Sequence, residues 1–132
     1  AQLFTEYDVV VSCVDNIAAR HILNRAHIKT KTPLIDAGVS GFSGYILPVI
    51  SGYPCYSCVF PDDVVVPESA RGILGACAGA VGSMQAAETV KTILGLSRDF
   101  YGHMLLIALF DFSFQTIRLS RNPSCICATG TE

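Results

Sequence analysis

The sequence predicts an α/β fold, and three observations carry that expectation. A β-branched run at residues 7–14, apolar on both faces, feeds straight into a helical pattern and then into a second apolar run at residues 33–39. A long helical segment follows at residues 75–94, and two strand-like segments, 104–111 and 115–119, come after it. With 132 residues, 51% of them apolar, the chain has the size and the apolar content of one domain with a buried core.

Each element has a local reason. The run at 7–14 suits a strand buried within a parallel sheet, where both faces are covered. Asp15 and Asn16 come next, and either can cap a helix by accepting from the free N–H groups of its first turn. The helix is expected to reach about Ile28, with Ala18, Ala19, Ile22, Leu23 and Ala26 forming the core stripe and Arg20, Asn24 and His27 facing away. Residues 33–39 then complete a β-α-β unit with a right-handed crossover.

Gly38, Gly41 and Gly44 punctuate the next connection, followed by a strand at 45–50. Their spacing is not that of a phosphate loop, since no G-x-G-x-x-G and no Lys-Ser/Thr follows, so a turn with close backbone approach is expected. Residues 61–71, with Asp62, Asp63, Pro67 and Glu68, read as an exposed connection. In the helix at 75–94, Gly79, Gly82, Ala86, Val90 and Ile93 share a face, with Gln85, Glu88 and Thr92 elsewhere. So many small residues imply close approach of another backbone, from a sheet of the same chain or a helix of a partner. Gly95 is placed to end the helix in the left-handed conformation. Gly72–Gly75, ahead of it, could offer free N–H groups to an anion, as many helix starts could. No internal repeat or second domain is visible.

Composition removes some function classes. Only 15% of residues are charged and the net charge is -2, which gives no footprint for a nucleic-acid backbone or an anionic membrane. The most apolar stretch, residues 104–110, is far short of the roughly 20 residues that span a bilayer. No basic-then-apolar leader is visible. Six cysteines, two of them in a C-x-x-C pair, suit a reducing compartment better than a disulfide scaffold, so the expected location is cytoplasmic.

Two sets of residues point to chemistry. Cys55-x-x-Cys58 with Cys125-x-Cys127 offers four thiolates, the shell that a closed, structural zinc site uses. The spacing alone also fits buried thiols without metal, because cysteine is among the most buried residue types and C-x-C constrains the bite. Asp15 stands at the tip of the first strand, where doubly wound sheets bind ligands and where a carboxylate can help hold magnesium or orient a phosphate; the plain reading is an N-cap. Asn16 and Arg20 share that ambiguity. His21, His27 and His103 lie apart and are expected at solvated or core-edge positions, and Cys13 and Cys77 are expected to pack inside.

A set of motifs in fixed order resembles the ThiF/MoeB/HesA family of ubiquitin-activating-enzyme-like adenylyltransferases. It comprises Asp8-Val-Val-Val-Ser-Cys-Val-Asp15-Asn16 with Arg20 and Asn24, Thr32-Pro-Leu-Ile, Gly41-Phe-Ser-Gly44, Pro54-Cys-Tyr-Ser-Cys-Val-Phe-Pro61, Gly72-Ile-Leu-Gly75, Gly82-Ser-Met-Gln-Ala-Ala-Glu88 and Arg121-Asn-Pro-Ser-Cys125. Together they cover nearly the whole chain.

The resemblance implies the C-terminal half of a Rossmann-like fold, a mixed sheet with flanking helices, usually dimeric. It implies adenylation, with ATP and Mg2+, of the C-terminal glycine carboxylate of a ubiquitin-like sulfur-carrier protein. Asp15 would sit in the ATP and magnesium site as its catalytic residue, and Cys55, Cys58 and Cys125 would bind structural zinc; beside them, Asn16 and Arg20 are the candidate cofactor-binding residues and Cys127 the candidate fourth ligand.

The sequence departs from the family in three ways. Its N-terminal half, with the Gly-rich ATP-binding loop, is absent, so the chain alone is expected to be inactive and to need that half in cis or in trans. The family's last cysteine pair is C-x-x-C, whereas Ala128 stands at the matching position and Cys127 must shift by one residue to serve. The stretch Glu68-Ser69-Ala70-Arg71 has no thiol where many members carry one, which favours adenylation without thioester transfer. A non-catalytic half-subunit that docks through the small-residue helix face is the alternative. A dinucleotide-binding oxidoreductase ranks below both, because its fingerprint loop is missing.

Overall fold

The computed structural model describes residues 1–61 and 72–130. The expected connection at 61–71, including the thiol-free Glu68-Ser69-Ala70-Arg71, falls outside the described residues apart from Pro61. Among these residues, nine α-helices and strands follow a short 3-10 turn at Gln2–Glu6, with a second 3-10 turn at Arg98–Phe100: β1 Val10–Val11, α1 Ile17–Thr30, β2 Leu34–Ser40, β3 Ser43–Val49, α2 Tyr56–Val59, α3 Gly75–Ile93, β4 His103–Ala108, β5 Ser113–Arg118 and α4 Ile126–Thr129. The five strands form one sheet in the order β1-β2-β3-β4-β5. Only β1 and β2 run parallel; β2 to β5 form an antiparallel meander.

The β1-α1-β2 unit is therefore present, with a much shorter first strand than the run at 7–14 suggested. Backbone bonds to β2, from Val10 N to Pro33 O and from Ser12 N to Ile35 O, define the strand on one side only. Nothing among the described residues pairs with its other edge, and Tyr7 is exposed. Cys13, expected to pack inside, is exposed for the same reason.

Strand alternation sorts the core into two layers, because successive side chains point to opposite faces. Leu34, Leu47, Val49 and Met104 meet Ala26 of α1, Tyr56 and the cysteine loop on one face. Ile35, Ala37, Ile46 and Ile107 meet Cys77 and Val81 of α3 on the other. One helical layer thus covers each side of the sheet.

Both long helices depart from the expected faces, α1 in part and α3 wholly. In α1, Ala26 and Leu23 pack inward as expected, but Asn24 and His27 are buried too and Ile22 is 59% exposed. In α3, Cys77, Val81, Gln85 and Glu88 face the sheet, while Val90 and Ile93 are exposed and Gly79 and Gly82 have nothing within 4 Å of where a side chain would begin. The polar residues go inward because partners await them there; Glu88, for one, accepts from Lys91 Nζ and Ser97 Oγ. The Gln85 amide donates to Ser12 O at 2.8 Å and to Ile35 O at 2.9 Å, tying α3 to β2 and to the residue after β1. Such a satisfied buried amide costs little, whereas an apolar replacement would remove the Ser12 carbonyl's donor and leave Ile35 O with Ser12 N alone.

Helix ends follow ordinary capping chemistry. Asn16 caps α1, its Oδ1 accepting from Ala19 N at 2.8 Å. Past α3, Gly95 takes φ +69, the left-handed geometry expected of it.

Gly44 is where the close approach occurs. A Cβ built there would lie 2.6 Å from Val81 Cγ2 and 2.8 Å from Gly38 O, so the β3 backbone sits directly against α3. The carbonyl belongs to the neighbouring strand and has no freedom to retreat. Gly44→Ala is therefore expected to cost about 1–3 kcal/mol, the usual price of overpacking, read as a lower urea midpoint with an unchanged slope.

Candidate functional site

The parallel pair β1-β2 ends at a cleft of about 400 Å3 whose lining includes Asp15, Asn16, Ile17, Arg20, Gly38, Ser40, Tyr45 and Phe60. The three residues singled out on the first strand and helix, Asp15, Asn16 and Arg20, come together here, but they are differently engaged. Asn16 is committed to capping α1, with its Oδ1 on Ala19 N, and its Nδ2 donates to Asp15 Oδ1 at 3.1 Å. That leaves the exposed Asp15 carboxylate at the rim without the capping duty that was its plain reading.

Arg20 is held by the protein itself. Its Nη1 donates to Asp36 Oδ1 at 2.5 Å and to Ala37 O at 2.6 Å, and its Nη2 donates to Val14 O at 2.8 Å. Burial works against the charge, but the facing Tyr45 and Asp36 outweigh it and hold the guanidinium pKa above its ordinary value. Asp36 also accepts from the Tyr45 hydroxyl at 2.7 Å. Burial and the Asp36 charge push the Tyr45 phenol far up, so it remains a donor. The Arg20-Asp36-Tyr45 clasp thus joins the end of β1, the first turns of α1, β2 and β3 under the floor of the cleft.

Asp36 and Tyr45 were not anticipated as site residues. Asp36 carried a usable signal, a lone carboxylate inside the apolar strand Pro33-Leu34-Ile35-Asp36-Ala37, which needs a buried partner. Tyr45 carried none, since its hydroxyl finds Asp36 only through the β2-β3 register, in which Tyr45 pairs with Gly38.

The four cysteines meet on the α1 side of the sheet. Their Sγ atoms all lie within 4.8 Å of one another. Cys55 and Cys125 are 3.5 Å apart, as are Cys58 and Cys127, and Cys55 and Cys58 are 3.9 Å apart. A tetrahedral ion with Zn–S bonds of about 2.3 Å sets its sulfurs about 3.8 Å apart, so the donor set fits a closed site. No disulfide is present among them. Burial raises the Cys55 and Cys125 thiols above their ordinary pKa, and a divalent cation would supply the charge that burial withholds. Cys127 sits at about 7: burial opposes ionisation, and bonds from Arg121 and the neighbouring cysteines outweigh it. The one-residue shift of C-x-C is absorbed because Cys127 turns inward to Cys58 while Ala128 is exposed.

Asn24 organises this loop from α1. Its side chain, fully buried, accepts from Tyr56 N at 3.1 Å and donates to Ser57 Oγ at 3.0 Å and to Cys55 Sγ at 3.6 Å. His21 meets Ser57 Oγ at 3.1 Å, and His27 lies against Thr32 O at 2.7 Å. Both rings are buried, against the expectation of solvated or core-edge positions, because each finds a polar partner inside. Burial lowers the His27 pKa.

A mixed five-stranded sheet with a helical layer on each face and a cleft beyond its parallel strands is a Rossmann-like α/β arrangement. E. coli MccB, solved with ATP, shares it, with a TM-score of 0.74 at 15% identity over 92% of this chain and 40% of that one. Sequence carries the assignment further: the chain belongs to the ThiF family, whose pattern matches residues 1–127. Among its relatives are the adenylyltransferase and sulfurtransferase MOCS3 of Drosophila persimilis, 35% identical over 92% of this chain and 29% of that protein. The sulfur carrier protein adenylyltransferase of Thermus thermophilus is 34% identical over 94% of this chain and 49% of its own length. The chain therefore spans no more than about half of these relatives. Among the described residues no helix is long and apolar enough to cross a membrane.

Proposed function

We propose that this chain forms one wall of the nucleotide site of an adenylyltransferase. In the full-length protein, that enzyme uses ATP and Mg2+ to activate the C-terminal glycine carboxylate of a ubiquitin-like sulfur-carrier protein. The observation that carries the reading is the Asp15 carboxylate, which does not cap the helix itself and lines a cleft beyond the parallel strands, where α/β sheets receive ligands. The names of the relatives support the reaction class. Asp15 would take the metal and phosphate role. Asn16 would hold the helix end that presents it, and Arg20 would shape the floor rather than reach into the cleft. An N-terminal half, in cis or in trans, would supply the Gly-rich loop and further cations around the α-phosphate, so that catalysis rests on positioning and charge stabilisation. The four thiols would hold a structural zinc ion with no open position for substrate.

The test is ATP-pyrophosphate exchange with the N-terminal half restored and a carrier ending in Gly-Gly. Asp15→Ala is expected to reduce exchange about 100-fold, the scale of losing one group aligned with developing charge. Exchange at the wild-type rate would remove Asp15 from the reaction.

The exposed apolar side of α3 favours a second reading, a non-catalytic half-subunit that docks a partner there. It predicts association without exchange activity. Light scattering on a size-exclusion column separates the two, since a chain that stays monomeric beside its restored half has no such role.

A further inference from the structure

The end of the sheet remote from the Asp15 cleft carries a second concavity, of about 310 Å3, walled by Tyr53, Tyr101, His103, Arg118 and Arg121. The β4-β5 register puts His103 opposite Arg118 at this end and Ala108 opposite Ser113 at the other. On β4 the cleft reaches Leu106, three residues from His103, so at about 3.3 Å per residue the two linings, which share no residue, are about 10 Å apart along the strand. A ligand in one pocket therefore does not fill the other.

Three features make this concavity receptive to an anion. No carboxylate among the described residues lines it, in a chain whose net charge is -2. Among the described residues neither Arg118 nor Arg121 pairs with a carboxylate, although Arg121 also faces the Cys127 thiol. A donor is also held in place. Arg121 Nη2 is anchored on Cys127 O, which fixes the guanidinium at the edge of the concavity. Tyr53 and Tyr101 meet edge to face with centroids 5.6 Å apart. Gly102, at φ +76, allows this packing, since a Cβ there would lie 3.1 Å from the Tyr53 ring.

We propose that this pocket binds a small phosphate-class oxyanion, with Arg118 and Arg121 supplying charge-assisted bonds and the tyrosine hydroxyls neutral ones. Planar guanidinium groups match the oxygen spacing of a phosphate, and the volume suits a small molecule rather than a folded partner.

Calorimetric titration of the full-length protein with inorganic phosphate tests the assignment. Saturable binding is expected, weakened about tenfold by Arg118→Gln, as the loss of one charged hydrogen bond requires, and unchanged by Asp15→Ala. Because Arg118 is exposed, its replacement leaves the core intact, which circular dichroism checks. The assignment is overturned if no saturable binding occurs, or if Arg118→Gln binds as the wild type does. It also fails if Asp15→Ala changes the affinity, which would place the phosphate in the other cleft, or if an oligoglutamate peptide binds where phosphate does not. The result stands or falls independently of the adenylation reading.

Discussion

Replacing Asp36 with Asn is expected to destabilise the protein by about 3 kcal/mol or more, a loss read directly from urea or thermal unfolding. The Arg20 and Asp36 side chains are only 12% and 2% exposed, so the pair sits in a medium where an unmatched charge has little water to turn to. Asn keeps the shape and a carbonyl acceptor but removes the negative charge, leaving a guanidinium whose remaining partners are the neutral carbonyls of Val14 and Ala37. The Tyr45 hydroxyl loses its anionic acceptor at the same time. Replacing both charged partners with apolar residues, Arg20→Met with Asp36→Leu, is expected to cost less than Asp36→Asn alone, because no buried charge is then orphaned. A double variant less stable than the single would show that the clasp stabilises through its bonds and not through charge matching.

Metal removal is expected to have the larger effect. If the cysteine cluster holds zinc, protein purified without added metal carries about one ion per chain. Stripping it would then lower the unfolding temperature by roughly 10 °C or more, as the loss of several kcal/mol requires in a domain of this size. The thiols join segments far apart in the chain, Cys55 and Cys58 on one side and Cys125 and Cys127 on the other, so the ion would close a long loop as well as organise two short helices. Cys127→Ala is expected to behave like the stripped protein, and Cys127→Ala with Ala128→Cys probes whether the wider C-x-x-C bite also serves. Metal-free protein with reduced thiols that melts at the same temperature with and without chelator would return the four sulfurs to ordinary packing.

Much of this architecture was legible in the residues, and its misreadings share a cause. The β-α-β unit, the paired closing strands, the stop at Gly95 and the convergence of two distant cysteine pairs all followed from local chemistry that tertiary structure did not overrule. The helix faces did not. Periodicity assigns the most apolar stripe to the core, but α1 and α3 are apolar enough on two sides to leave that choice open. The inward side was chosen by polar groups with fixed acceptors and donors: Gln85 on Ser12 O and Ile35 O, and Asn24 on Tyr56 N. The length of β1 was misread because β-branched composition reports what a strand can pack against, whereas pairing depends on a neighbour, and among the described residues only β2 provides one. Asp15, Asn16 and Arg20 line one cleft because they stand close together in the sequence. Asp36 and Tyr45 reach the site through strand register, which no single segment displays.

The grip of one guanidinium on the Val14 and Ala37 carbonyls has a mechanical consequence. With the end of β1 stapled to β2 in this way, the segment bearing Asp15 has little room to swing, and a molecule arriving there would find its carboxylate already aimed. Little ordering entropy would then be lost on that side when the cleft fills. Adjustment to the guest's size would fall instead to the opposite bank.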